Sequence, residues 1–137
     1  MTATTFNRFC GDLCRLLAAQ PAEIETQPGE RSIARISLNG EALSLLHTGE
    51  NDGHSASASI DLGQVPQSAE LATWTRFLAE NFEARGTFSP RYGRDLRTGN
   101  LLIHCTFDYG QSELTDIGAA VLHMVDIARE LRREQQK

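Results

Sequence analysis

The sequence predicts an α+β fold of order α-β-β-β-α-β-β-α, a largely antiparallel twisted sheet packed with helices. Three observations carry it. Apolar residues recur at helical spacing near both ends of the chain and again in the middle. The segments between them alternate apolar and polar residues, as half-buried strands do. An Asn39-Gly40 pair joins two such segments through the shortest hairpin turn, which makes that pairing antiparallel. A length of 137 residues fits one domain spanning 1–137, with a core that needs no disulfide or metal.

The first helix is marked by Phe6, Phe9, Cys10, Leu13, Leu16 and Leu17, with Thr4 or Thr5 as its cap and Pro21 as its stop. Residues 20–30 read as a polar connection. In the hairpin, both turn positions of a type I′ turn need positive φ, which Asn-Gly supplies. The turn sets Leu38 opposite Glu41, Ile36 opposite Leu43 and Ala34 opposite Leu45 on a core face, and Ile33 opposite Leu46 on a mixed face. Thr48 to Gly53 reads as a loop. Ser55 to Leu62 then alternates Ala56, Ala58, Ile60 and Leu62 with serines and Asp61, giving a third strand. The second helix, from about Ala69 to Phe82, places Leu71, Trp74, Leu78 and Phe82 on one stripe, read as its core face. Phe77 falls roughly 100° away, which suggests a second buried surface. Thr87 to Tyr92 reads as an edge strand because it contains Pro90. Leu101–Asp108 alternates as a core strand, and Leu114, Ile117, Val121, Met124, Val125, Ala128 and Leu131 form the last helical stripe. Arg129, Arg132, Arg133 and Lys137 suit the negative end of that helix.

Composition excludes several classes. A formal charge of −5 disfavours non-specific binding to phosphate backbones or anionic membranes. Of the 13 basic residues only Lys137 is lysine, so no interior lysine can serve a P-loop, a Schiff base or a catalytic base. No apolar run approaches the roughly 20 residues of a membrane span. The start Met1-Thr2-Ala3-Thr4-Thr5 lacks the features of a signal peptide, so a cytoplasmic location is expected.

Motifs for catalysis are thin. Cys10 and Cys14 share one side of a helix, but nothing nearby completes a metal site, so buried thiols are expected and no metal or cofactor. His47, His54, His104 and His123 are scattered, and His104 and Cys105 point to opposite faces of one strand. Arg91, Arg94 and Arg97 around Tyr92 form a small basic group that reads as a solvated hairpin. The mixed sheet face with Ile33 and Leu46 and the off-stripe Phe77 suggest contact with another polypeptide.

The element order, the acidic character and the segment Asp95-Leu96-Arg97-Thr98-Gly99-Asn100-Leu101-Leu102-Ile103 together resemble the class I type III secretion chaperones, the CesT-like or Tir chaperone family. The resemblance runs from about Thr5 to Arg133 and rests on architecture more than on a motif. It implies a bacterial, cytoplasmic, ATP-independent homodimer, not an enzyme, that holds the N-terminal segment of an effector in extended form. It maps the effector groove to Phe6, Phe9, Leu13, Ile33 and Leu46, and the dimer interface to Trp74 and Phe77. A regulatory or adaptor module of the same fold, and a small thiol- or His-dependent enzyme using Cys105 or a histidine, are the alternatives. On the groove assignment, Phe9→Asp or Leu46→Asp abolishes capture of the partner, measured by co-purification, and leaves the dimer folded.

Overall fold

A computed structural model describes residues 2–27, 31–47, 53–85 and 88–135. Helix α1 (Thr2–Leu16) leads into β1 (Glu23–Gln27), β2 (Arg31–Leu38), β3 (Glu41–His47) and β4 (Ser55–Gly63). A 3-10 turn (Gln67–Ala69) precedes α2 (Glu70–Glu83), followed by β5 (Arg91–Arg94), β6 (Leu101–Asp108) and α3 (Leu114–Gln135). The strands form one six-stranded sheet of order β1-β2-β3-β4-β6-β5, antiparallel at every pairing.

The order differs from expectation by one strand. Residues 23–27 are not connection but β1, paired to β2 from Glu23↔Arg35 to Gln27↔Arg31. Its sequence, Glu-Ile-Glu-Thr-Gln, carries a single apolar residue because an edge strand over a solvated face has little to bury. Helix α1 begins upstream of Thr4 and Thr5, which lie inside it. It ends before Pro21, through a Schellman motif in which Ala18 takes φ 55°. Ala19 N–H there donates to Cys14 O at 2.9 Å and Ala18 N–H to Arg15 O at 3.3 Å. β5 starts just after Pro90, which lies outside the strand. The expected loop over Thr48–Gly53 and Lys137 lie almost wholly outside the described residues.

The Asn39-Gly40 turn has φ of 52° and 84°, and the β2–β3 register is the one the turn dictates, down to Ile33↔Leu46. Alternation carries one face of the sheet inward: Ala34, Ile36, Leu43, Leu45, Ala58, Ile60, Ile103 and Cys105 are all buried under α1 and α3. Small residues in β4 let the helices approach.

Helix α2 is oriented otherwise than its stripe suggests. Phe77 alone of α2 is buried, whereas Leu71, Leu78 and Phe82 are 83%, 66% and 82% exposed. The stripe read as a core face is solvent-facing, and the off-stripe aromatic is the anchor. Phe77 stacks on Tyr92 with ring centroids 4.2 Å apart. One turn on, Asn81 Nδ2 donates to Tyr92 O and Tyr92 N–H donates to Asn81 Oδ1, both at 2.7 Å. Positions four apart share a helix face, so these two residues fix the rotation of α2.

The far end of the sheet is tied by one buried charge. Glu41, 5% exposed at the hairpin turn, accepts from Arg132 Nε on both carboxylate oxygens at 2.9 Å. Arg132 also donates to Asp61 O at 2.8 Å, and Asn100 Nδ2 donates to both Asp61 carboxylate oxygens at 3.1 Å. This joins α3 to the β2–β3 turn, to β4 and to the β5–β6 loop. Removing the arginine strands a desolvated carboxylate. Arg132→Ala is expected to cost about 2–4 kcal/mol, reduced from the fully buried case because the guanidinium is partly exposed. Glu134→Ala, which breaks the exposed pair with Arg76, should cost under about 1 kcal/mol. Urea denaturation of the two variants compares them directly.

Candidate functional site

The expected groove residues do not share a surface. Phe6 and Leu13 are fully enclosed between α1 and the sheet, and Phe9 is 7% exposed. Phe6 stacks on His47 with ring centroids 5.0 Å apart, and Phe9 on Tyr109 at 4.7 Å. Ile33 and Leu46 sit half-buried on the other side of the sheet. Of the three expected groove residues on α1 only Phe9 reaches an opening, a cleft of about 220 Å³ between α1 and the start of α3, beside Tyr109, Leu114 and Ile117. Phe9→Asp therefore places a carboxylate in the core and tests folding; Leu46→Asp remains a surface substitution. Trp74 is half-buried at the margin of the exposed α2 stripe, with Arg94 over its ring at 5.4 Å, and Phe77 lies beneath it.

The titratable groups are placed for structure. Burial, then the neighbouring Cys14, pushes the Cys10 thiol up to about 12. Burial alone pushes Cys105 to about 11, and Cys14 is raised chiefly by burial. His47, fully buried, has Nε2 3.1 Å from Gly53 O, and since a carbonyl only accepts, that nitrogen is the donor. His104 is lowered by burial and then by Arg91. Among the described residues no group of three or more His, Cys, Asp or Glu could hold a metal. The basic hairpin group is partly engaged: Arg94 pairs with Glu70 at 3.3 Å and Arg91 donates to Asn81 O at 3.3 Å. The loop between them and β6 is held by its own bonds, Asp95 N–H to Asn100 O at 2.9 Å and Gly99 N–H to Asp95 O at 2.6 Å. Leu96 at its tip is 96% exposed.

What the fold leaves open is a pair of unlike sheet edges. At β5 the Asn81 amide occupies the outward N–H and C=O of Tyr92, so α2 closes that edge. At β1 no hydrogen bond reaches the outer edge among the described residues. Beside β1 runs a groove of about 180 Å³ lined by Gly11, Cys14, Ala19, Ala22 and Ile24, with Asn7, Arg15 and Pro21 at its margin. Small side chains on α1 and Ile24, 36% exposed, give it an apolar floor. Sequence reasoning missed this site because β1 itself was not legible; Ile24 was its one apolar signal.

The family model of the Tir chaperone protein (CesT) family matches residues 25–132. No curated protein matches the chain in sequence. Among solved structures, a chain of the HopA1–SchA chaperone–effector complex superimposes with a TM-score of 0.67 at 13% identity, covering 97% of each chain. A chain of the ExsC–ExsE complex gives 0.63 at 16% identity, covering 96% of this chain and 93% of that one. A chain of the ExoT–SpcS complex from Pseudomonas aeruginosa gives 0.61 at 14%, covering 91% and 95%. At such identities these likenesses establish the fold.

The thiols offer a direct check on their burial. At pH 8 all three cysteines should resist a maleimide in the native protein and react at once in urea, since the thiolate is the reactive form. Rapid native labelling of any one would overturn that placement.

Proposed function

Because this chain belongs to the Tir chaperone protein (CesT) family, we propose that it is an ATP-independent chaperone of a type III secretion effector. It works as a homodimer in the bacterial cytoplasm and holds the effector's N-terminal segment extended. The observation that carries this reading is the asymmetry of the sheet: β5 is closed by α2, while β1 is open beside an apolar groove. An extended segment can satisfy its backbone groups along β1 and place alternate side chains in the groove. Burial of apolar surface contributes roughly 25 cal/mol per Å², and ordering the segment offsets much of it, which keeps capture reversible.

The dimer forms through the outward face of α2. Three large apolar side chains on one exposed stripe, Leu71, Leu78 and Phe82, with Trp74 at its margin, make a self-complementary patch. Phe77 supports this surface from beneath.

Two measurements test the proposal. The double variant Leu78→Asp, Phe82→Asp should be monomeric by light scattering, with its thermal midpoint little changed because both sites are exposed; a variant that stays dimeric places the interface elsewhere. Complexes recovered from a bacterium expressing secretion substrates should yield, after limited proteolysis, a protected extended N-terminal segment with two copies of this chain. A protected folded domain would instead make the protein an adaptor.

A further inference from the structure

Resting on the reading that β1 takes up an extended segment, we propose that Glu23 and Glu25 select one whose side chains alternate between apolar residues and lysine or arginine. The strand presents two unlike rows. Ile24 and Thr26 pair with Ala34 and Ser32, both buried on the helix side, so they border the groove. Glu23 and Glu25 pair with Arg35 and Ile33 and face the opposite, open side. Any strand added to β1 has the same period of two. Its alternate residues therefore fall over the apolar groove, and those between fall beside the two glutamates.

The charge on that row is only partly compensated, one arginine standing against two glutamates. Arg35 serves Glu25 at 3.2 Å, with both side chains more than half exposed. Glu23 has no ion pair among the described residues, and Arg15, the nearest cation along the groove margin, is held by Asp12. Opposite charges directly across an added strand stabilise it, and like charges oppose it. The same row disfavours a second copy of this chain as the occupant. Two β1 edges brought together would set four glutamates side by side against the two Arg35 guanidiniums, an excess of like charge of the kind by which natural edge strands avoid self-pairing.

The test uses two fluorescein-labelled peptides in which isoleucine alternates with lysine or with glutamate, read by anisotropy against the full-length protein. The lysine peptide should bind about tenfold tighter, a preference that fades in high salt. Glu23→Lys with Glu25→Lys should invert the order, with only a small fall in melting temperature from the lost, exposed Arg35–Glu25 pair. Gly11→Leu, whose Cβ would meet only Arg15 Nη1 at 3.7 Å, fills the groove and should weaken both peptides. Equal affinity for the two peptides, still lost in Gly11→Leu, overturns the charge selection and leaves capture at β1 standing. Binding of neither peptide overturns both.

Discussion

The bidentate contact between the Asn81 amide and the backbone of Tyr92 is the constraint on which the external surfaces depend. An antiparallel sheet has two edges, and each exposes a row of unpaired N–H and C=O groups. Here one side chain imitates a neighbouring strand and satisfies both groups of the central β5 residue. With Phe77 stacked on Tyr92 one turn earlier, the same contact sets the rotation of α2. The apolar stripe, about 100° away by the helical period, is then forced outward. Closing an edge and presenting an apolar face are consequences of one arrangement. Among the described residues β1 is the edge without such a cover.

The sequence was most legible where a local rule acts alone. Asn39-Gly40 fixed a turn, the turn fixed a register, and every pairing from Leu38↔Glu41 to Ile33↔Leu46 followed. β4, β6 and α3 alternate strongly enough to be read without context. Amphipathicity failed at α2 because a stripe records which residues are apolar and not what they meet. Leu71, Leu78 and Phe82 look like a core face, and only the position of Tyr92 decides that Phe77 is inside. β1 failed for the opposite reason: with both its outer face and its outer edge open, it carries only Ile24 as an apolar signal. The groove assignment on α1 had a related weakness. Phe6 and Leu13 are enclosed in the core, Phe6 against His47, and present no exposed surface in this structure.

The placement of His47 shows how closely that end of the core is drawn. A fully buried imidazole is tolerated because Gly53 accepts from one nitrogen while Phe6 stacks on the ring and Tyr109 meets its edge. Tyr109 is in turn held by its backbone to His54, N–H to carbonyl at 2.9 Å. Helix α1 is thus seated by aromatic contacts at its N-terminal half. Its C-terminal half, with Gly11, Cys14 and the Schellman turn at Ala18, keeps small residues toward β1. The groove exists because the small residues Gly11 and Cys14, not the bulky ones, are what α1 turns toward β1.

If β1 captures and α2 dimerises, as proposed, the distance between them limits what can be bound. β1 and β5 are opposite edges of one sheet, separated by five strand spacings, about 24 Å at roughly 4.8 Å each. In the proposed dimer through α2, with the two sheets set end to end beyond β5, the β1 edges lie about 48 Å apart. An extended chain advances at most roughly 3.6 Å per residue, so a single segment needs some 14 residues merely to bridge them, before it lies along either edge. A short peptide can therefore occupy one protomer only. Engaging both requires a long unfolded stretch, and the second contact gains from the effective concentration set by the first. On the proposed arrangement, long disordered segments are favoured over short linear motifs, and this length requirement acts independently of the charge proposed to act through Glu23 and Glu25.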